Sequence, residues 1–362
     1  MSKSPYIVYV GTYSEGTYSP EGYKSEGIYI CHMDRETGHI ETIKTYSQSV
    51  NPTYLAIDEK NGRVFANNEL SNKAAIDAYK IKDSSGQLHY LETFNLPGAD
   101  LCHLAMSPNY NWVGGANYTT GSVIVCNADT GKYHITQLHG SSISERQGSA
   151  HAHQVVFSHD KHVFVPDLGS DKIWRYQFDD QEGTLVPATP QCAIPVAAGE
   201  GPRHLVLSHG RDRLYVVTEL MNDVLVFTLH KHEDIYELQQ TVQLLPDNIS
   251  QKCGAAGIIL SPDEKYLFVS IRGEKNAIGS FRINQDNGLL EPMGLVDTRG
   301  KTPRHIGFTP DGRFLLSANQ DSNTISVFRY QPTDGMLEFI CHGEVMQPSF
   351  LAIVDPITLD QG

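Results

Sequence analysis

The sequence has no apolar stretch long enough to span a membrane, no closely paired cysteines and little positive charge. A membrane-spanning helix needs roughly 20 apolar residues, and the N-terminal MSKSPYIVYVGTY lacks the apolar core of a signal peptide. The six cysteines form no CxxC pair. We therefore expect reduced thiols and a cytoplasmic protein.

The charge balance is strongly acidic: 28 Lys and Arg residues stand against 42 Asp and Glu residues, for a formal net charge of −14. This balance disfavours nucleic acid and anionic membrane surfaces as partners. The sequence also lacks a GxSxG nucleophile elbow. Because no cysteine is clearly paired with a base either, a covalent mechanism is not indicated.

A short apolar run that ends at a turn recurs seven times along the 362 residues, with a period of about 50. One residue from each run marks the repeat: Leu55, Leu104, Val155, Leu205, Ile258, Ile306 and Leu351. Each run is followed by further short strand-like segments, as in HIGFTPDG, FLLSANQ, TISVFRY and DGMLEFICHGEV. Four short antiparallel strands per repeat predict an all-β, seven-bladed β-propeller.

The two ends of the chain complete one blade between them. IVYVGTY matches a second strand and GIYICHMD a third, whereas the C-terminal FLAIVDP matches a first strand with nothing after it. We therefore predict a ring closed by the N-terminal strands and a C-terminal innermost strand, which hides the sheet edges. The whole chain, 1–362, is expected to be one domain.

Polar residues gather at one predicted mouth of the channel, because the start of each first strand and the end of each second strand lie at the same end. The residues before the first strands are Asn51, Cys102, His103, His151, His153, Arg203, His204, Cys253, Gly254, Arg304 and His305. The residues after the second strands are Thr12, Tyr13, Asn68, Glu69, Asn117, Tyr118, Asp167, Glu219, Arg272, Asn319 and Gln320. Convergent polar groups in a concave site indicate a binding or active site.

Several of these residues are equally compatible with structural roles. The histidines that share one phase of the repeat, His103, His204 and His305, are as compatible with bonding a neighbouring blade as with binding substrate. Glu219 either neutralises Arg203 or takes part in chemistry, and the two roles are compatible. Asp167 in PDLGSDK is typical of a turn.

The motifs YVGTY, NPTYLA, HAH with VFVPDLGSDKIWRY, GPRH, VTEL, SIRG and TPRH resemble the propeller-type lactonase family over essentially the whole chain. That family includes bacterial 6-phosphogluconolactonases and the fungal carboxy-cis,cis-muconate cyclase. The resemblance implies a seven-bladed propeller. It also implies a site of one histidine, two arginines and one glutamate, which fall by motif on His153, Arg203, Glu219 and Arg272.

A lactonase at this mouth needs an activated water, a stabilised oxyanion and a site for the sugar acid. Either His153 or Glu219 serves as the base, and Arg203 and Arg272 would stabilise the oxyanion. Arg304 and Lys275 would hold a phosphate or carboxylate. The other predicted substrate contacts are His103, His151, His305, Asn319 and Gln320.

No cofactor or metal is expected. Unrelated propeller lactonases use Ca²⁺, but this mouth offers few carboxylates, and such a cation needs six to eight oxygen ligands. The predicted function is metal-independent hydrolysis of a sugar-acid lactone, 6-phosphoglucono-1,5-lactone in the first place. Two alternatives are a muconate-type cycloisomerase and a non-enzymatic interaction platform, although the WD signature of platform propellers is absent.

Overall fold

The computed structural model describes residues 4–15, 24–250 and 252–356 of the chain. Regular structure in these ranges is almost entirely β-strand, arranged in seven sheets. Their helical elements are single turns: α1 (Asp247–Ser250) and two 3-10 turns, Glu145–Gln147 and Gln320–Ser322. None of these helices could span a bilayer. The ends of the predicted domain, 1–362, fall outside the described residues.

Each sheet is one blade of antiparallel strands. Blade 1 contains β1 (Tyr6–Thr12), β2 (Ile28–Met33), β3 (Ile40–Tyr46) and the last strand of the chain, β29 (Pro348–Val354). Blade 2 contains β4 (Leu55–Asp58), β5 (Arg63–Leu70), β6 (Lys73–Ile81) and β7 (Leu88–Leu96). Blade 3 contains β8 (Leu101–Met106), β9 (Trp112–Asn117), β10 (Ser122–Asn127) and β11 (Tyr133–Gln137).

Blade 4 has a fifth strand and contains β12 (Val156–Phe157), β13 (His162–Asp167), β14 (Lys172–Asp179), β15 (Thr184–Pro187) and β16 (Ala193–Pro195). Blade 5 contains β17 (Pro202–Leu207), β18 (Arg213–Thr218), β19 (Asp223–His230) and β20 (Ile235–Gln243). Blade 6 contains β21 (Cys253–Leu260), β22 (Tyr266–Gly273), β23 (Ala277–Ile283) and β24 (Leu290–Asp297). Blade 7 contains β25 (Pro303–Phe308), β26 (Phe314–Asn319), β27 (Thr324–Tyr330) and β28 (Leu337–Glu344).

The predicted fold and ring closure are confirmed. β29 pairs antiparallel with β1, with Leu351 opposite Val10 and Ala352 opposite Tyr9, and so supplies the innermost strand of blade 1. First strands of neighbouring blades contact one another around the central channel, except between blades 4 and 5, where β17 contacts β13. The chain termini therefore join within one sheet, and the ring leaves no blade without a neighbour on either side.

The core is divided among the gaps between blades. In the described residues, seven apolar clusters each join two neighbouring blades. Within β1, Ile7 and Tyr9 face blade 2, whereas Tyr6, Val8 and Val10 face blade 7. Side chains alternate between the two faces of a strand, and both faces are covered. Inner strands therefore read as continuous apolar runs rather than as alternating patterns.

Candidate active site

A cavity of about 150 Å³ lies at the channel mouth where the first strands begin. The residues that line it are Tyr13, Thr53, Tyr54, Glu69, Asp100, Cys102, Tyr118, Arg146, His153, Arg203, His204, Glu219, Arg272, Arg304 and Ser349. Four arginines thus meet in one small cavity of a protein whose net charge is −14. This local reversal of charge indicates a site for an anionic ligand or an anionic transition state.

A β-bulge aims the arginine of each Pro-Arg-His motif into this cavity. In blade 5, Pro202 pairs with Thr218 and His204 with Val217, so Arg203 is the extra residue. Blade 7 repeats this register shift at Arg304. A bulge leaves its extra residue outside the ladder and redirects its side chain, which explains how an arginine and the histidine beside it come to point to different places.

Two adjacent positions of each repeat recur around the channel, and each of them defines a ring of seven residues. The pocket ring consists of the residues two positions before each repeat marker: Thr53, Cys102, His153, Arg203, Ala256, Arg304 and Ser349. The floor ring consists of the residues one position before each marker: Tyr54, His103, Gln154, His204, Gly257, His305 and Phe350. Six of the seven pocket-ring side chains line the cavity, and the exception is an alanine.

Aromatic contacts link the members of the floor ring beneath the cavity. His103 packs against Tyr54 at 4.1 Å between ring centroids and against His204 at 5.6 Å. Tyr54 lies 3.9 Å from Phe350, which in turn lies 4.4 Å from His305. Burial lowers the pKa of His305 from 6.5 to about 3 and holds the pKa values of His103 and His204 well below 6.5. These histidines are therefore neutral packing groups at physiological pH.

Glu219 holds three guanidinium groups on one side of the cavity. Its Oε2 accepts from Arg203 Nε at 2.8 Å and lies 2.9 Å from Arg272 Nη2, and its Oε1 accepts from Arg146 Nη2 at 2.6 Å. Burial raises the pKa of Glu219, but these arginines outweigh that effect and hold it well below the ordinary range. Glu219 is therefore a permanent carboxylate that fixes the arginines in place.

The ends of two strands place Arg203 beside Glu219. Gly201, just before the strand of Arg203, has a φ of 64°, which is favourable for glycine. Its carbonyl accepts the backbone N–H of Glu219 at 2.9 Å. A Cβ at position 201 would lie 2.6 Å from the side chain of Leu220. This backbone junction brings the two charged side chains together.

Arg146 is a cavity residue that the sequence analysis missed. It lies outside the repeated strands, in the 3-10 turn of the connection from blade 3 to blade 4, and its side chain is 51% exposed. Ser144 and Gln147 form a capping box around that turn. The Ser-x-x-Gln spacing is a recognisable signal for such a turn, but it gives no indication that Arg146 reaches Glu219 in blade 5.

His153 lines the cavity as a buried, neutral imidazole. Burial and the neighbouring charge of Arg203 hold its pKa well below the ordinary value of 6.5. Its Nδ1 lies 3.9 Å from the Cys102 thiol sulfur, and its ring meets that of Tyr118 edge to face at 5.5 Å. No described residue hydrogen-bonds to its Nε2. A neutral imidazole with a free ring nitrogen can accept a proton from water.

Glu69 forms a second, differently bonded acidic centre. The Tyr13 hydroxyl donates to its Oε1 at 3.1 Å and to its Oε2 at 3.2 Å, and the Thr53 hydroxyl donates to Oε2. Burial raises the pKa of Glu69 and outweighs the opposing charge of Arg304. Within the described ranges, no guanidinium forms an ion pair with this carboxylate.

Arg304 lies between the two acidic centres. Its guanidinium is 5.0 Å from the centre of the Tyr13 ring, and it interacts electrostatically with both Glu69 and Glu219. It makes neither an ion pair nor a side-chain hydrogen bond with any described residue. Among the four cavity arginines it is therefore the one with its hydrogen-bonding capacity unused.

Six predicted substrate contacts do not line the cavity. Two of them, His103 and His305, belong to the floor ring. His151 stacks on Tyr118 at 4.5 Å and bonds its carbonyl at 2.9 Å, so it supports a cavity residue from outside.

The remaining three lie in blades 6 and 7. Asn319 Nδ2 donates to Ser326 Oγ at 2.8 Å, which joins neighbouring strands inside blade 7. Gln320 is buried in the turn that follows, and Lys275 is exposed on the hairpin between β22 and β23. Proximity to a strand end is therefore not sufficient to predict a substrate contact, because it does not specify where the side chain points.

The described residues contain no group of three or more His, Cys, Asp or Glu side chains arranged to hold a metal ion. The three carboxylates that line the cavity are instead engaged by other groups: Glu69 and Asp100 by hydroxyls and Glu219 by guanidinium groups.

Comparisons with known proteins agree with this architecture. Residues 7–353 match the family model described as Lactonase, 7-bladed beta-propeller. The chain is 28% identical over 358 residues to the 6-phosphogluconolactonase of Bacillus subtilis, covering 97% of each protein. It is 29% identical over 327 residues to the 6-phosphogluconolactonase of Formosa agariphila, covering 86% of this chain and 90% of that one.

A solved structure also matches this chain over nearly its whole length. The periplasmic gluconolactonase of Pseudomonas aeruginosa superimposes with a TM-score of 0.88 at 30% sequence identity, covering 97% of this chain and 99% of its own. The match extends over all seven blades, since it covers nearly the whole of both chains. The chain therefore belongs to the seven-bladed β-propeller lactonase family.

Proposed function

We propose that this protein hydrolyses a sugar-acid lactone, with 6-phosphoglucono-1,5-lactone as its substrate. The observation that carries the proposal is the convergence of four arginines and two neutral imidazoles, those of His153 and His204, on a single small cavity. Family membership and the names of the relatives in Bacillus subtilis and Formosa agariphila support the same reaction.

His153 is the general base of the proposed reaction. Its free Nε2 takes a proton from water as the water oxygen attacks the lactone carbonyl. Glu219 was the other candidate, but three ion pairs occupy its oxygens and hold its pKa well below the ordinary range. Both Glu219 oxygens are therefore already occupied by guanidinium groups, whereas no described residue hydrogen-bonds to Nε2 of His153, which favours His153 as the base.

Arg203 and Arg272 stabilise the oxyanion that forms when water adds to the carbonyl. Arg203 Nη2 and Arg272 Nη1 donate to no described residue, whereas their other nitrogens are fixed on Glu219 and on backbone carbonyls. Guanidinium groups held in advance need no reorganisation as charge develops on the oxygen. Glu219 acts in this scheme as a positioning residue.

Arg304 binds the anionic group of the substrate, because its guanidinium has no ion-pair partner in the described part of the chain. A planar guanidinium can bond a phosphate or a carboxylate through two N–H groups. Lys275, which is exposed outside the cavity, is not needed for this contact.

The test is hydrolysis of phosphorylated and unphosphorylated gluconolactones by purified protein, measured above the spontaneous rate. We expect acceleration with both, a lower KM for the phosphorylated lactone, and the same rates after treatment with EDTA, since the proposed route uses no metal. Absence of any acceleration would refute the lactonase proposal, and loss of activity with the chelator would refute its metal independence.

A muconate screened in the same assay addresses the cycloisomerase alternative, in which the same residues would add a proton to carbon. Ring formation with a muconate and no lactone hydrolysis would replace the proposed reaction. Cellular location remains a prediction of the sequence: we propose the cytoplasm, although the relative from Pseudomonas aeruginosa is described as periplasmic. Fractionation of the source cells distinguishes the two compartments.

A further inference from the structure

The two buried glutamates of the cavity are bonded in opposite ways. Glu219 is in contact with three guanidinium groups, whereas the hydroxyls of Tyr13 and Thr53 are the side-chain donors to Glu69. Both side chains line the same cavity, and Arg304 interacts electrostatically with each. The proposed mechanism uses Glu219 as an anchor and leaves Glu69 without a role.

Lactone hydrolysis needs an acid as well as a base. When the tetrahedral intermediate collapses, the bond from C1 to the ring oxygen breaks, and the departing oxygen would be a strongly basic alkoxide unless it receives a proton. His153 could return its proton to the departing oxygen only if the same ring nitrogen reached both the attacking water and the ring oxygen. A second proton-carrying group in the cavity, apart from the arginines, removes that requirement.

We propose that Glu69 is the general acid that protonates the departing ring oxygen, an inference that rests on the proposed lactonase function. Water loses one proton to His153, and its oxygen forms the new bond to C1. The C1–O bond breaks, and its electron pair takes the proton from Glu69. The proton held by His153 then returns through solvent to Glu69, which restores the starting state without any co-reactant.

The contacts of Glu69 suit this role. Tyr13 donates to both carboxyl oxygens, and Thr53 donates only to Oε2, so Oε1 has the smaller number of protein donors and is the oxygen able to carry the proton. The residue is 9% exposed, and burial raises its pKa. Burial, and the absence of an ion pair with any described residue, both favour the protonated form that an acid catalyst requires.

The test compares Glu69→Gln with wild type in the dependence of kcat/KM on pH, with the spontaneous rate subtracted. Wild type is expected to lose activity as pH rises through the pKa of Glu69, because the acid is then deprotonated. Glu69→Gln is expected to lose about 100-fold or more in kcat and to lack this basic limb. A variant with near-normal kcat and an unchanged basic limb would overturn the inference.

Glu200→Gln is the matched control. Glu200 is also a buried glutamate, and burial raises its pKa to about 6, but it does not line the cavity. We expect this control to keep both kcat and the basic limb. Loss of the basic limb in Glu200→Gln would show that the titration belongs to Glu200 and not to Glu69, which would refute the inference.

The variant Tyr13→Phe keeps Glu69 in place and tests its role as the acid by removing one of its hydrogen bonds. The Tyr13 hydrogen bond lowers the pKa of Glu69. Loss of this hydrogen bond in Tyr13→Phe should therefore move the fall in activity at basic pH to higher pH. If that fall does not move, the result counts against Glu69 even where Glu69→Gln fails to fold. Wild-type protein inactive on every lactone would instead refute the proposed function itself, so the two failures are distinguishable.

Discussion

The pocket ring and the floor ring occupy adjacent positions of the same strands but have opposite chemistry. Arg203 carries its charge into the cavity beside Glu219, whereas the next residue, His204, is neutral and packs against His103 and His153. Arg304 and His305 repeat this division in blade 7. A single bulge separates the two environments in each of these blades.

Position relative to the bulge, rather than residue type alone, separates the residues assigned to catalysis and binding from those assigned to packing. His153 in the pocket ring and His204 in the floor ring are both buried histidines with lowered pKa values. Only the former occupies the pocket-ring position that Arg203 and Arg304 share. Substitutions of Arg203 and Arg304 should therefore change catalysis or binding, whereas substitution of His305, which does not line the cavity, should change stability.

The largest effect is expected from Arg203→Ala in the pocket ring. It removes a guanidinium assigned to the oxyanion and should lower kcat about 100- to 1,000-fold. Arg203→Lys keeps a charge without the planar fork and should give an intermediate loss. Steady-state kinetics with thermal unfolding as a folding check measures both, and a folded Arg203→Ala protein with normal kcat would break the comparison.

Arg304→Ala should act on binding rather than on chemistry. Loss of a charged hydrogen bond should raise KM for the phosphorylated lactone about 10- to 100-fold with little change in kcat. Arg299→Ala, at an exposed arginine outside the cavity, is the matched control and should leave KM unchanged. An equal rise in KM for the unphosphorylated lactone would show that Arg304 does not bind the phosphate group.

Arg146→Ala should have a smaller effect because its ion pair with Glu219 is half exposed. The side chain of Arg146 is 51% exposed, against 4% for Arg203 on the same carboxylate. Exposed pairs are weak and are screened by salt, so we expect a loss in kcat/KM of about 2- to 5-fold that diminishes at high salt. A loss equal to that of Arg203→Ala would place Arg146 among the groups that contact the reacting atoms.

The smallest effect is expected from His305→Phe in the floor ring. The folded pKa of His305 is about 3, below its ordinary value of 6.5, so the stability it contributes is present above pH 6.5 and is lost as pH falls toward 3. Phenylalanine already occupies the equivalent position at Phe350, and no described residue hydrogen-bonds to the Nδ1 of His305. Tm should therefore fall less steeply than in wild type between pH 6.5 and 4. An unchanged slope would contradict this role.

The sequence predicted the fold because the repeat is long, regular and redundant. Seven markers at a period of about 50 residues determine seven blades, and the unmatched first strand at Leu351 could only complete the blade begun at Tyr6. Local errors in one copy do not disturb such a pattern. The prediction of ring closure rested on the same phase and was confirmed by the pairing of β29 with β1.

The candidate site was only partly readable from the sequence. His153, Arg203, Glu219, Arg272 and Arg304 were selected as mouth residues, and all five line the cavity. The same rule also selected side chains that do not, such as Asn319, because it locates a backbone position and not a side-chain direction. Arg146 was missed because it lies in a connection outside the repeat, which periodicity does not describe.

The blade count, the closure of the ring and the strand ends that meet at one mouth were all predictable from the amino-acid sequence. These properties follow from hydrophobic periodicity and turn chemistry, which act locally and repeat. The tertiary structure was needed to show that Glu219 holds three arginines, that His305 stays out of the cavity while Arg304 lines it, and that no arginine of the described residues forms an ion pair with Glu69. Those features depend on one-residue bulges within the blades and on contacts between residues distant in sequence, which a local sequence pattern does not describe.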